Sequence, residues 1–233
     1  MITNDGSGGD RAARKLGVPA DRVLYLLDGV DKSQPGKKFD RGAYRDKLGL
    51  SPETKIILRV GRLWPQQRID RLIARMPDIL PDGTPVAAVV VGEGSERTFL
   101  ERLAETWGVK VIFTGALTHR ELSEHYSCAD IYAATSDRTN LSNSVLESLN
   151  HGLPVVALST GGTGSVIRDM VNGRLVEFEQ RERLGEVLAE TLCDEVLRAR
   201  LSEGALRTAR EIVPSYEERM RQEAEALALL EYS

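Results

Sequence analysis

The sequence is poor in cysteine and histidine, the residues from which disulfide frameworks and zinc sites are built. Its 233 residues include two cysteines, Cys128 and Cys193, and three histidines. The cysteines form no CxxC pair, and no histidine stands in a metal-site or catalytic-triad pattern. Neither a disulfide framework nor a metal site is therefore predicted. A reducing compartment is the simplest expectation.

A long apolar run and an excess of basic residues are also missing. No stretch approaches the length that crosses a bilayer, and residues 1–10 lack the basic and apolar regions of a leader. Lys and Arg number 31 against 35 Asp and Glu, which gives a net charge of −4. No nucleic-acid partner is expected, because polyanion binding requires concentrated positive charge. We predict a cytoplasmic protein; attachment to the inner face of a membrane stays open, without support from the sequence.

Short apolar runs alternate with amphipathic helical stretches, the pattern of a parallel α/β sheet. The predicted strands are Val23–Leu27, Ile56–Val60, Val86–Val91, Val109–Phe113, Ile131–Ala134, Val155–Leu158 and Arg174–Glu177. The predicted helices are Gln66–Leu80, Glu96–Trp107, Arg120–Cys128, Ser144–His151 and Val166–Met170, with nearly continuous helix from Glu179 to the end. Most strands are apolar throughout, so both faces of the sheet should be buried.

The predicted fold is α/β, with a single Rossmann-like parallel β-sheet flanked by helices and a helical C-terminal tail. Residues 1–54 form a lead-in segment with one strand and short helices, and residues 55–233 form the ligand-binding domain. Ligands of open α/β sheets bind outside the carboxyl ends of the strands. The loops that follow the strands are therefore the places to look for chemistry.

The loop after Ile56–Val60 runs from Gly61 to Arg68 and leads into a helix. It gathers free backbone N–H groups and the guanidinium groups of Arg62 and Arg68, which suits a phosphate. Spacing alone leaves an alternative open, in which Arg62 caps a neighbouring carbonyl and Arg68 lies on a solvated helix face.

Two further loops contain glycines at strand ends. Gly92 and Gly94 would let a ligand approach the backbone closely, although taken alone they favour a tight turn that needs positive φ. The segment from Phe113 to Leu117 offers an apolar slot and backbone amides to a nucleobase, or is a plain turn.

Polar loops follow the next two strands. Thr135 to Glu147 is crowded with Ser, Thr and Asn, and a glycine pair follows Val155–Leu158. Together these loops would hold a hydroxyl-rich ligand. The Glu147 carboxylate could accept two hydrogen bonds from a ribose diol. The spacing Ser144-x-x-Glu147 is also that of a helix capping box, so the role of Glu147 stays open.

Eight short motifs follow one another in an order that resembles a known family. They are Gly61-Arg62-Leu63, Val91-Gly92-Glu93-Gly94, Phe113-Thr114-Gly115, Ala129-Asp130-Ile131, Val145-Leu146-Glu147-Ser148, Gly152-Leu153-Pro154-Val155-Val156-Ala157, Gly161-Gly162 and Asn172-Gly173-Arg174-Leu175-Val176. The set resembles the C-terminal, donor-binding half of retaining GT-B glycosyltransferases of family 4, the glycosyl transferases group 1. The resemblance extends from about Leu16 to the C-terminus.

The resemblance implies a hexosyltransferase-like enzyme whose donor substrate is a nucleoside-diphosphate sugar, with no cofactor and no metal. It implies that Arg62 and Arg68 are catalytic, holding the diphosphate and stabilising its departure. The loops after the second and third domain strands would frame the base, and Glu147 would bind the ribose. The implied substrate-binding residues are Gly61, Gly92, Gly94, Phe113, Leu117, Asp137, Thr139, Asn140, Leu141, Ser142, Glu147, Gly161 and Gly162.

Three positions depart from the family pattern. Gln67 stands where a lysine is usual, with Arg68 beside it as a replacement charge. Thr139 stands where the first glutamate of a paired motif is usual, with Asp137 nearby as a substitute, and Ser165 replaces a frequent glutamate. These departures affect sugar handling and leaving-group stabilisation more than nucleotide binding.

Two function classes follow. The first is the donor domain of a metal-independent, retaining glycosyltransferase that transfers a sugar to an acceptor hydroxyl and is incomplete without an N-terminal acceptor domain. The alternative is a non-catalytic nucleotide-sugar-binding module, or pseudoenzyme subunit, that needs a separate acceptor-domain chain. A sugar-nucleotide epimerase of related architecture is less well supported, because no epimerase-type acid/base cluster stands at the strand ends.

Overall fold

The computed structural model describes residues 1–4, 8–32, 39–79, 83–137 and 141–231. The strands are β1 (Ile2–Thr3), β2 (Leu24–Tyr25), β3 (Lys55–Val60), β4 (Val86–Val91), β5 (Lys110–Gly115), β6 (Ile131–Ala134), β7 (Val155–Ser159) and β8 (Gly173–Glu177). The α-helices are α1 (Gly8–Lys15), α2 (Arg41–Lys47), α3 (Ile69–Arg75), α4 (Arg97–Trp107), α5 (His119–Cys128), α6 (Asn143–Asn150), α7 (Thr163–Val166), α8 (Leu184–Cys193), α9 (Glu195–Ile212) and α10 (Tyr216–Glu231). Short 3₁₀ turns cover Ala20–Arg22, Pro65–Gln67, Met76–Asp78 and Phe178–Arg183.

The main sheet has six parallel strands in the order β5-β4-β3-β6-β7-β8. The chain builds outward from β3 in one direction, then returns to place β6 on the other side of β3. The strand order therefore reverses between β3 and β6, which opens a crevice between the loops that follow these two strands. The predicted parallel α/β sheet is confirmed.

Both faces of the sheet are covered by helices, as the continuously apolar strands predict. Ile56 and Leu58 of β3 belong to a core cluster formed with α5, α6 and α9. Ile57, which points the other way, belongs to a second cluster formed with α3, α4 and α8. All three side chains are fully buried, so β3 lies between the two cores.

Two of the predicted helices differ from those observed. The predicted helix over Gln66–Leu80 is broken at Arg68, whose φ of 50° is left-handed, and α3 begins only at Ile69. The predicted helix over Val166–Met170 is wrong, because α7 precedes it and ends at Val166. The Asn172 side chain accepts from the Arg168 amide and donates to the Val166 carbonyl, and these bonds hold the segment as a turn.

Residues 1–54, predicted as a lead-in segment with one strand, contain two two-residue strands, and β1 pairs in parallel with β2. Helix α2 is capped by Asp40, which accepts from the amides of Gly42 and Ala43. Arg45 of α2 reaches across to Asp130 at the start of β6. None of the described helices is both long and apolar enough to cross a membrane.

Candidate functional site

The loops that follow β3, β4 and β5 are joined backbone to backbone at the carboxyl edge of the sheet. The Gly61 amide donates to the Val91 carbonyl at 3.0 Å, and the Leu63 amide donates to the Glu93 carbonyl at 2.9 Å. The Gly92 amide donates to the Gly115 carbonyl at 2.8 Å. The structure thus brings together the first three loops that the sequence selected.

Gly92 and Gly94 permit this close approach. A Cβ added at Gly92 would lie 2.1 Å from the Gly61 carbonyl oxygen, and the φ of Gly92 is +127°. A Cβ added at Gly94 would lie 2.4 Å from the Leu63 carbonyl oxygen. Packing between the two loops therefore requires both glycines, whether or not a ligand also contacts them.

Arg62 is exposed at the edge of these loops. Its guanidinium carbon lies 4.5 Å from the centre of the Trp64 ring, a cation–π contact that orients the side chain. Among the described residues, the Arg62 guanidinium forms no ion pair and caps no carbonyl. Of the two roles that the sequence left open for Arg62, the capping role is not seen, and its charge is available to an anion.

Arg68 and Asp137 lie together, but their charges are paired with each other. Asp137 accepts from Arg68 Nη1 at 2.7 Å and from Arg71 Nη2 at 2.6 Å, and Arg68 also pairs with Asp70. Burial alone would raise the pKa of Asp137, but the hydrogen bonds from Arg71 and Arg68 outweigh it and hold the pKa of this carboxyl below its usual value. The cluster joins the loop after β6 to the start of α3.

Beneath Gly61 lies a polar group that the sequence analysis missed. Arg59 of β3 is 2% exposed and donates to the Tyr132 hydroxyl at 2.7 Å and to Gln67 Oε1 at 2.5 Å. Ser136, in the loop after β6, also donates to Gln67 Oε1. The sequence signal that could have found it is a charged residue inside an otherwise apolar strand.

Glu147 is bound by a neighbouring helix rather than by its own. The Tyr126 hydroxyl of α5 donates to Glu147 Oε2 at 2.6 Å. Helix α6 begins after Ser142, and the Ser144–Glu147 capping box is not formed. Burial raises the pKa of Glu147, and the Tyr126 hydrogen bond opposes this rise; His119, just beyond the loop after β5, also favours the charged form.

Replacing Tyr126 with phenylalanine is expected to raise the pKa of Glu147 further. The substitution removes the donor that stabilises the carboxylate but leaves the burial that destabilises it. Titration of the Glu147 side-chain carboxyl carbon by NMR in both proteins measures the change. An unchanged or lowered pKa would contradict this account of the contact.

The remaining predicted site residues are distributed around the crevice. Phe113 and Leu117 pack against the core clusters on opposite faces of the sheet, so the two side chains do not line one slot. Leu141 is buried. Ser142 stands just before α6 and makes no side-chain hydrogen bond to the helix amides; its hydroxyl instead bonds the Ser144 hydroxyl at 2.7 Å. Thr139 and Asn140 lie outside the described residues.

Gly161 and Gly162 form the turn after β7, beside the loop after β6. Gly161 has a φ of +56°. The Thr160 hydroxyl donates to the Ser136 carbonyl at 3.1 Å and ties the two loops together. Ser165 donates to the Gly162 carbonyl. Within the described part of the chain, no group of three or more His, Cys, Asp or Glu side chains is placed to hold a metal ion.

A family model described as Glycosyl transferases group 1 matches residues 40–208. The chain is 33% identical over 208 residues to a D-inositol 3-phosphate glycosyltransferase of Xylanimonas cellulosilytica, a match that covers 84% of this chain and 49% of that protein. It is 31% identical to a GDP-mannose-dependent monoacylated alpha-(1-6)-phosphatidylinositol monomannoside mannosyltransferase of Corynebacterium glutamicum, covering 82% of this chain and 58% of the other. The chain thus spans about half the length of these curated relatives.

Solved structures share the fold. Alr3699/HepE of Anabaena, crystallised with UDP, superimposes with a TM-score of 0.85 at 22% identity and covers 97% of this chain and 63% of its own. WaaG, a glycosyltransferase involved in lipopolysaccharide biosynthesis, superimposes with a TM-score of 0.82 at 24% identity. The match covers 95% of this chain and 60% of the WaaG chain. The six-stranded sheet and its helices therefore correspond to part of each of these longer chains.

Proposed function

Because the chain belongs to the glycosyl transferases group 1 family, we propose that it is the donor-binding part of a glycosyltransferase that uses a nucleoside-diphosphate sugar. The reaction is transfer of the glycosyl group to an acceptor hydroxyl with retention of configuration and without a metal ion. The acceptor oxygen forms a bond to the anomeric carbon and gives up its proton to the departing diphosphate, and the bond from that carbon to the diphosphate oxygen breaks. The acceptor is bound by a separate acceptor-binding part, not by the residues of this sheet.

One observation carries the proposal. Arg62 presents a charge unpaired among the described residues from the loop after β3, one of the two strands between which the strand order reverses. This point is where open α/β sheets bind nucleotides. A charged donor of fixed geometry suits a phosphate. As the glycosyl bond breaks, negative charge grows on the departing diphosphate, and the fixed guanidinium stabilises it without a metal.

Titration calorimetry with UDP, GDP and ADP, first without and then with magnesium, tests the proposal. UDP is included because HepE was crystallised with UDP. GDP is included because the corynebacterial relative is named for GDP-mannose. Saturable binding of one nucleotide without magnesium supports it. Absence of binding to all three contradicts it, and binding that requires magnesium contradicts metal independence.

Replacing Arg62 with alanine is expected to weaken binding of that nucleoside diphosphate by about 1.5–3 kcal/mol, the scale of a lost hydrogen bond to a charged group. Arg62 is exposed, so the fold should be unaffected. Titration heats of the variant give the change, and the melting temperature serves as the control. Titration heats equal to those of the unaltered chain would show that Arg62 does not contact the nucleotide.

The pairing of Arg68 with Asp137 favours a second candidate function. These two residues were predicted to replace a missing lysine and a missing glutamate, and each already neutralises the other. A chain with this arrangement could bind a nucleotide sugar without transferring the sugar. Transfer of a labelled sugar by the complete protein, with the acceptor-binding part present, would contradict this second candidate.

A further inference from the structure

Arg59 is a buried cation for which the described residues provide no anion. It is 2% exposed, and its guanidinium donates to neutral acceptors only: the Val60 carbonyl, the Tyr132 hydroxyl, Gln67 Oε1 and the Ser136 hydroxyl. Its Nε is buried without a hydrogen-bond partner in the structure. The guanidinium group is a cation, so the fold buries a positive charge at this position.

Another buried arginine of this chain has a carboxylate as its counter-charge, as buried charges usually do. Arg45 is 6% exposed, and its Nη2 lies 3.0 Å from a carboxylate oxygen of Asp130, at the opposite edge of the sheet. Burial of a charge without a counter-charge carries a penalty of several kcal/mol. The arrangement around Arg59 is therefore unfavourable until an anion arrives nearby.

The guanidinium of Arg59 lies directly under the crevice. A Cβ added at Gly61 would lie 3.5 Å from Arg59 Nη1. The two side chains that Arg59 Nη2 contacts, Gln67 and Ser136, belong to the loops after β3 and β6, which border the crevice. Gln67 is partly exposed, and its amide nitrogen donates to none of the described residues.

We propose that Arg59 is a positioning residue whose buried charge balances the diphosphate of the donor, acting through the Gln67 amide that it holds in place. The inference rests on the proposed function and adds to it a second, concealed source of positive charge. Because Oε1 of Gln67 accepts from both Arg59 and Ser136, the Gln67 amide nitrogen is oriented as a donor. A charge inside a low-dielectric region acts on a nearby anion more strongly than an exposed charge does.

The test measures binding of a nucleoside, its monophosphate and its diphosphate, using the base that the unaltered chain prefers. We expect Arg59→Met to weaken diphosphate binding roughly 10- to 100-fold, monophosphate binding less and nucleoside binding hardly at all, because only the phosphates sense the charge. Arg59→Lys keeps the charge and should restore most of the diphosphate affinity. Arg102→Met, which removes an exposed charge from α4, is the matched control and should leave all three affinities unchanged.

Thermal unfolding separates this role from a structural one. Without ligand, Arg59→Met should melt at the same temperature as the unaltered chain or higher, since an uncompensated buried charge is removed. The stabilisation produced by saturating diphosphate should be smaller in the variant. If Arg59→Met does not fold, Arg59→Gln provides a neutral side chain that can still hydrogen-bond its neighbours.

Three results would overturn the inference. Equal loss of affinity for nucleoside and diphosphate would show that Arg59 only supports the loops. Full diphosphate affinity in a folded neutral variant would show that the charge is not used. In either of these two cases the proposed function survives, provided that the unaltered chain binds a diphosphate. The third result is that the unaltered chain binds no nucleoside diphosphate, which would overturn both the proposed function and this inference.

Discussion

Replacing Asp130 with alanine is expected to lower the free energy of unfolding by about 3–5 kcal/mol, the loss measured when one partner of a buried ion pair is removed. The Asp130 carboxylate binds Arg41 and Arg45, and it accepts from the Ile56 amide at the start of β3 at 2.8 Å. Without it, the buried Arg45 guanidinium loses its counter-charge. The Ile56 amide also loses its acceptor. Urea unfolding of both proteins measures the difference.

Two further variants show whether the loss comes from the unpaired charge. Asp130→Asn keeps a hydrogen-bond acceptor, so its free energy of unfolding should lie between those of Asp130→Ala and the unaltered chain. The double variant Asp130→Ala with Arg45→Met removes the stranded cation as well, so it should recover part of the stability. Glu186→Ala, which breaks an exposed pair with Arg183, should have no measurable effect. A loss for Asp130→Ala as small as that for Glu186→Ala would contradict the prediction.

Replacing Gly92 with alanine is expected to destabilise the chain by roughly 2–5 kcal/mol, adding strained backbone to a steric clash. The φ of +127° suits glycine alone, and the new Cβ would lie 2.1 Å from the Gly61 carbonyl oxygen. The loop after β3 must therefore move away from the loop after β4. Because that loop carries Arg62, diphosphate affinity should fall by roughly ten-fold or more.

Gly108 provides the matched control for this prediction. Its φ of +63° is also left-handed, but a Cβ there would meet nothing within 4 Å. Gly108→Ala should therefore cost only the backbone strain, about 1–2 kcal/mol. It should leave nucleotide binding intact. Denaturant unfolding and calorimetry on the two variants compare strain alone with strain plus clash. Equal losses of stability in the two variants would mean that the loops after β3 and β4 are not tightly packed against each other.

Most of the fold was accessible from the sequence because buried parallel strands have a distinctive composition. Continuously apolar runs such as Val86–Val91 can be satisfied only when helices cover both faces of a sheet, and six of the predicted strands coincide closely with β3 to β8. Local chemistry also fixes helix ends: Thr118 and Glu121, three residues apart, form a capping box at the start of α5. The failures occurred where a side chain from elsewhere overrode the local pattern, as at Asn172.

The site was only partly accessible, because spacing shows which loops meet and not which charges remain free. Arg62 and Arg68 were equivalent in the sequence, but Arg62 has no ion-pair partner among the described residues, whereas Arg68 is paired with two carboxylates. For Glu147 the sequence left capping and ligand binding equally open. The structure decides against capping, because α6 begins after Ser142, and the Glu147 carboxylate instead accepts from Tyr126, 21 positions earlier.

The sequence by itself determined the parallel sheet, its order of loops and the family, since these depend on apolar periodicity and on short motifs that recur in order. Only the tertiary structure decided the electrostatics. Whether a buried charge is compensated depends on residues far apart in sequence: Arg45 meets Asp130 across 85 positions, whereas Arg59 meets only neutral groups among the described residues. Ion pairs and hydrogen bonds form through space: the placement of α2 brings Arg45 to Asp130, and the pairing of β3 with β6 brings Arg59 to Tyr132.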